Sequence, residues 1–134
     1  QPNSDQLDDG LILKNAFMTP VLKCVPPQDK PTAQEINNCS KFFSYEMEIL
    51  KNVKVILALG KIGFDQCLKY FRNEFNLKLK DYPFGHDRRY LLPNGKILWS
   101  CYHPSPRNVN TRRLKYNMMI ELLYKVNRCL YSFK

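Results

Sequence analysis

VKVILALG, at residues 53–60, is short, rich in β-branched residues, almost continuously apolar, and closed by a glycine. A strand with one wet face alternates apolar and polar residues, whereas a strand covered on both faces reads as an unbroken apolar run. This stretch therefore predicts an inner strand of an α/β sheet with helices on either side. The flanking sequence agrees. Upstream, Thr32 with Glu35 three residues later forms a capping box, and Ile36, Cys39, Phe43, Met47 and Leu50 recur at helical spacing, which predicts a helix over about 32–51. Downstream, Phe64, Cys67, Leu68 and Phe71 mark the apolar face of a second, short helix.

Further from this centre, residues 11–22 are apolar with scattered polar positions and predict another strand, which Pro26, Pro27 and Pro31 then end. A polar, lysine-rich stretch leads to Asp87. Residues 89–92 and 97–102 read as strands around the Pro93-Asn94-Gly95 turn, and Leu114, Met118, Leu122, Val126 and Leu130 give a last amphipathic helix. Strands alternating with helices imply a central parallel sheet, whose ligands bind in the crevice beyond the carboxyl ends of the strands. Two loops take such positions, KCVPPQDKP after Leu22 and HPSPRNVNTRRL after Tyr102. In a parallel sheet both open on the same edge.

The 134 residues fit one domain, and 21 Lys and Arg against 12 Asp and Glu leave a formal charge of +9. Residues 101–134 alone hold seven basic side chains and one acidic, a local net of +6. That imbalance points to an anionic partner. No apolar run approaches the roughly 18 residues of a membrane span, and the opening QPNSDQLDDG has no signal-peptide order. A cytoplasmic protein with no membrane partner is expected. Five cysteines at wide spacings suit thiols or metal ligands better than a disulfide framework.

His103 follows a strand and precedes Pro104, which holds its backbone extended and lets its ring project from the sheet edge. Taken alone, that position also suits an ordinary exposed histidine. The loop behind it offers Ser105, Arg107, Asn108, Asn110, Thr111, Arg112 and Arg113, a dense set of phosphate and base hydrogen-bonders, although a solvated basic surface has the same composition. Cys24 and Cys39 are 15 residues apart and can converge on a metal, but two thiolates do not complete a four-ligand site. Cys67 and Cys129 lie on apolar helix faces and read as core. Cys101 and His103 stand i and i+2 on a strand, roughly 7 Å apart, too far for a nucleophile and its base. His86, after Gly85 in a loop, reads as structural.

Together, KCVPPQDKPTAQEINNC at 23–39, VKVILALG at 53–60, PFGH at 83–86 and CYHPSPRNVNTRRL at 101–114 resemble the iron-sulfur uracil-DNA glycosylases, specifically the family 5 or type b branch. The likeness covers nearly the whole chain. It implies a three-layer α/β domain with a central parallel sheet, of which residues 1–134 would be the carboxyl-terminal part, incomplete at the amino terminus. It also implies a four-iron, four-sulfur cluster, with Cys24 and Cys39 as two of its four ligands. Two positions depart from the family pattern. Asp29 stands where Asn is common, and Arg112 stands where Gly is common and the backbone needs glycine freedom.

The resemblance further implies base-excision repair, in which uracil is flipped out of DNA and its N-glycosidic bond hydrolysed, leaving an abasic site. His103 would donate to the uracil O2, and Asp29 would be a second catalytic residue, although a carboxylate in that loop also suits a loop cap or an Asx-turn. Ser105, Pro106, Arg107, Asn108, Asn110, Arg112 and Arg113 would contact DNA. A monomer is expected for the complete domain. Two other readings remain at this stage: a noncatalytic nucleic-acid-binding remnant, and a thiol-dependent hydrolase built on Cys101.

Overall fold

The computed structural model describes residues 6, 8–26 and 30–133. Its elements are α1 (Ala33–Ile49), β1 (Val55–Leu59), α2 (Lys61–Phe75), β2 (Arg88–Leu91), β3 (Ile97–Cys101), α3 (Pro106–Asn110) and α4 (Tyr116–Tyr131), with a 3₁₀ turn at Leu79–Asp81. The sheet runs β1-β3-β2. β1 and β3 are parallel, with Val55 opposite Ile97 and Leu59 opposite Cys101. β2 is antiparallel to β3, as a short hairpin requires. Gly95, at φ +79, makes that turn, its N–H bonding to the Leu92 carbonyl at 2.9 Å. The α/β class and the parallel pair expected from the sequence are thus present, with β2 making the sheet mixed.

Side chains alternate across the sheet and build two cores. On one face Ala58 and Leu98 join Phe64, Cys67, Leu68 and Phe71 of α2 and Phe43 of α1. On the other, Ile97, Trp99 and Cys101 join Leu114 and Leu122, with Val55, Leu57 and Leu59 packed against them. All five residues of β3 are buried, which is why its sequence, ILWSC, does not alternate. Helices on both faces make three layers, with α1 and α2 on one side and α4 on the other. The capping box at Thr32 forms as its spacing predicts. The Glu35 backbone N–H donates to the Thr32 hydroxyl at 3.2 Å, and the Thr32 N–H to the Glu35 carboxylate at 2.7 Å.

Two expectations fail. Residues 11–22 form no strand. Asn15 sits at φ +55, Pro20 offers no N–H, and no strand among the described residues pairs with this segment. It is tied instead to α1 through Glu46, which accepts from the Thr19 hydroxyl and pairs with Lys23 at 2.6 Å. With no strand there, the geometric reason for placing the proline loop at the sheet edge disappears. The segment after Tyr102 is not wholly loop either, because Pro106–Asn110 closes into a short helix.

A histidine at the carboxyl edge of the sheet

His103 lies two residues past β3, exposed at the carboxyl edge of the parallel pair. Its neighbour there is Gly60. The Gly60 N–H donates to the Cys101 carbonyl at 2.8 Å, closing the β1–β3 ladder, and its carbonyl accepts from the Phe64 N–H at 3.1 Å, starting α2. Gly60 adopts φ +94, and a Cβ added to it would fall 3.1 Å from His103 Cβ and 3.4 Å from Cδ2. The histidine therefore rests on the bare backbone of the β1–α2 turn. Gly60 also leaves the α2 N-terminus without a side-chain cap, so its first N–H groups stay directed at this edge. The glycine was visible in the sequence only as a strand end, since a contact this close depends on the parallel pairing.

The following loop is locked by its own polar groups. The His103 carbonyl accepts from both the Ser105 N–H and the Asn108 side-chain amide, each at 2.8 Å. The Ser105 hydroxyl caps α3 by accepting from the Asn108 N–H at 3.3 Å, and Pro106 occupies the first turn, where its missing N–H costs nothing. The Asn108 carbonyl then accepts from the Leu114 N–H at 3.0 Å. Ser105 and Asn108 thus shape the loop. Arg107, Asn110, Arg112 and Arg113 are exposed along it. Arg112 has φ +56, a left-handed conformation that glycine adopts freely and arginine does not, in agreement with the expectation for this position. The Arg113 guanidinium lies 4.7 Å from the centre of the Tyr102 ring.

Beside this loop, the 83–86 motif packs against the end of β3. The Ser100 hydroxyl donates to the Gly85 carbonyl at 2.6 Å, and the Tyr102 N–H donates to His86 Nδ1 at 3.4 Å. The structural role expected for His86 fits these contacts. Asp87 has φ +58; it accepts from the Trp99 indole N–H at 3.0 Å and forms an ion pair with Lys125 of α4. Partial burial raises the Asp87 carboxyl, but hydrogen bonds from Lys125 and Trp99, helped by the Lys125 charge, outweigh it and hold the group below its usual value.

The cysteines separate by environment. Burial pushes the Cys67 thiol up to about 12 and the Cys101 thiol up to about 11. Cys101 donates to the Tyr102 carbonyl at 3.1 Å and has His86, not His103, as its histidine neighbour, at 3.6 Å. A thiol held neutral in this way is a poor nucleophile. Cys24 is exposed and Cys39 buried on α1, both as thiols. Among the described residues no three His, Cys, Asp or Glu side chains gather as a metal site. A four-iron cluster needs four ligands, so these residues do not supply one. Asp29 lies outside the described residues. No helix among the described residues is long and apolar enough to cross a membrane.

The chain is similar to known proteins along most of its length. The family described as the Uracil DNA glycosylase superfamily matches residues 4–127. The chain is 35% identical over 120 residues to the type-5 uracil-DNA glycosylase of Thermus thermophilus, covering 90% of this chain and 53% of that protein. It is 33% identical over 123 residues to the type-5 uracil-DNA glycosylase of Pyrobaculum aerophilum, covering 92% and 51%. With the enzyme of the same name from Mycobacterium tuberculosis it shares 29% over 128 residues, covering 95% and 47%. The chain spans about half the length of the curated relatives it matches.

Proposed function

The chain belongs to the Uracil DNA glycosylase superfamily, and we propose that it serves the hydrolysis of the N-glycosidic bond of uracil in DNA, with His103 as the catalytic donor. The observation that carries this reading is the placement of His103 on the glycine floor at the carboxyl edge of the sheet, beside the uncapped N-terminus of α2. Open α/β sheets bind ligands at this edge.

The bond from C1' to N1 cannot be reached inside the base stack, so the nucleotide must first be extruded, at a cost of a few kcal/mol recovered from backbone contacts. The exposed Arg107, Arg112 and Arg113, with Asn110, would hold the flanking phosphates. These contacts fix register without reading sequence. As the bond lengthens, positive charge grows on the sugar and negative charge on the uracil. A donor from His103 to O2 stabilises charge that exists only near the transition state, and water then attacks C1'. The resemblance assigns Cys24 and Cys39 to an iron-sulfur cluster, and two thiols do not close one.

The test is incubation of the chain with an end-labelled duplex carrying one uracil, followed by alkali to cleave abasic sites. A single new fragment at the uracil position supports the reading, and binding without cleavage favours a noncatalytic nucleic-acid-binding protein instead.

A further inference from the structure

β3 alternates its backbone groups between its two neighbours. Ile97 and Cys101 turn theirs to the β1 side, where the Ile97 N–H bonds to the Lys54 carbonyl at 2.9 Å and the Cys101 carbonyl accepts from Gly60. The even residues therefore face β2. In the β2–β3 register Tyr90 stands opposite Leu98 and Arg88 opposite Ser100, so the next pair in step would be His86 and Tyr102. That pair does not form as a backbone ladder. Asp87, at φ +58 and secured by Trp99 and Lys125, turns the chain out of line immediately before β2. The Tyr102 N–H would be left without an acceptor at the point where the strand delivers His103. The imidazole fills that place. Its Nδ1 accepts from the Tyr102 N–H, and its ring centre lies 5.4 Å from that of Tyr102. Arg113 also lies against the Tyr102 ring, and Phe84 is 6.1 Å from it, so Tyr102 is braced by several groups.

We propose that His86 is a positioning residue for His103: its Nδ1 substitutes for a strand carbonyl, extends the β3 ladder by one bond, and fixes the main chain from which the His103 ring projects. The inference rests on the glycosylase reading for its catalytic consequence, but its structural content stands independently. The Tyr102 N–H is a donor that needs an acceptor, so His86 carries its proton on Nε2. The nearby Cys101 thiol does not compete, because it donates to the Tyr102 carbonyl.

Three measurements test this. Nitrogen chemical shifts of the His86 ring in the uniformly labelled chain are expected to show an unprotonated Nδ1 at neutral pH, and an Nδ1–H tautomer overturns the proposal. Amide exchange at Tyr102 is expected to quicken about tenfold in His86→Gln, whose amide oxygen reaches past the acceptor position. In His86→Asn it stays within about twofold, because the Asn oxygen stands where Nδ1 stood. Equal exchange in both variants also overturns it. In uracil release, kcat of His86→Gln is expected to fall about 10- to 100-fold with KM little changed, and His86→Asn to restore most of it. Equal loss in both, at unchanged melting temperature, contradicts the proposal. If the unaltered chain releases no uracil, the glycosylase reading fails, while the tautomer and exchange measurements still decide the role of His86.

Discussion

The Cβ that Gly60 lacks would lie 3.1 Å from the Cβ of His103, so the turn that ends β1 and the histidine that follows β3 share one space. Gly60→Ala must either displace the imidazole or open the turn, and alanine at φ +94 carries a strain of about 1–3 kcal/mol. A small displacement of a catalytic group is enough to cost up to about 100-fold in rate. Uracil release by Gly60→Ala should fall by at least about tenfold, with DNA affinity within about twofold, because the arginines of the loop are untouched. Single-turnover rates and fluorescence anisotropy on one uracil-containing duplex check both halves; an unchanged rate would show that His103 does not depend on this floor.

Arg112 sets conformation against charge. Its left-handed backbone, φ +56, carries about 1–2 kcal/mol of strain that glycine would relieve, less the entropy glycine adds to the unfolded chain. Arg112→Gly should therefore raise the melting temperature by a few degrees. If the arginine also neutralises a phosphate, the slope of log affinity against log salt should shrink by about one. A more stable protein with weaker, less salt-sensitive binding is expected from thermal melts and salt titrations. A less stable protein contradicts the strain.

Asp87 joins β3 to α4 through Trp99 and Lys125, and its pKa is held below the usual value of 3.8. A carboxyl depressed in the folded state contributes stability that is complete above the unfolded value and is lost as pH falls through the folded value. The stability difference between the unaltered chain and Asp87→Asn should thus be constant at neutral pH and shrink below about pH 4. Urea unfolding followed by Trp99 fluorescence reads this directly. A difference that does not change between pH 7 and pH 3 would mean the carboxylate gains nothing from its partners.

With its thiol pushed up to about 11 and buried, Cys101 should resist alkylation in the native chain, as should Cys67. Brief iodoacetamide treatment at pH 8 should mark the exposed Cys24 first, and peptide mass spectrometry identifies the labelled site. Native labelling of Cys101 accompanied by loss of uracil release would revive a thiol-dependent mechanism.

Local signals were readable in the sequence where they act locally. Thr32 and Glu35 announce α1 three residues apart, Phe64 to Phe71 give the buried face of α2, and Pro93 to Gly95 give the hairpin. The 11–22 segment misled because apolar content alone does not supply a pairing partner, and Asn15 at φ +55 is not visible in composition. α3 was hidden because Pro106 and Asn110 look like loop residues until Ser105 is seen to cap them. At the site, His103 stood out from its strand and proline neighbours. Gly60 and His86 did not, because each acts through a contact between segments distant in the chain, 43 and 16 residues from its partner.

Comparing His103→Ala with the unaltered chain in single-turnover uracil release is the most direct measurement. Loss of one donor to a developing anion lowers the rate by about 100- to 1,000-fold, and because the arginines proposed to hold the phosphates are untouched, affinity for the uracil duplex should stay within about threefold. An undiminished rate in His103→Ala would contradict the assignment of the catalytic donor to this histidine.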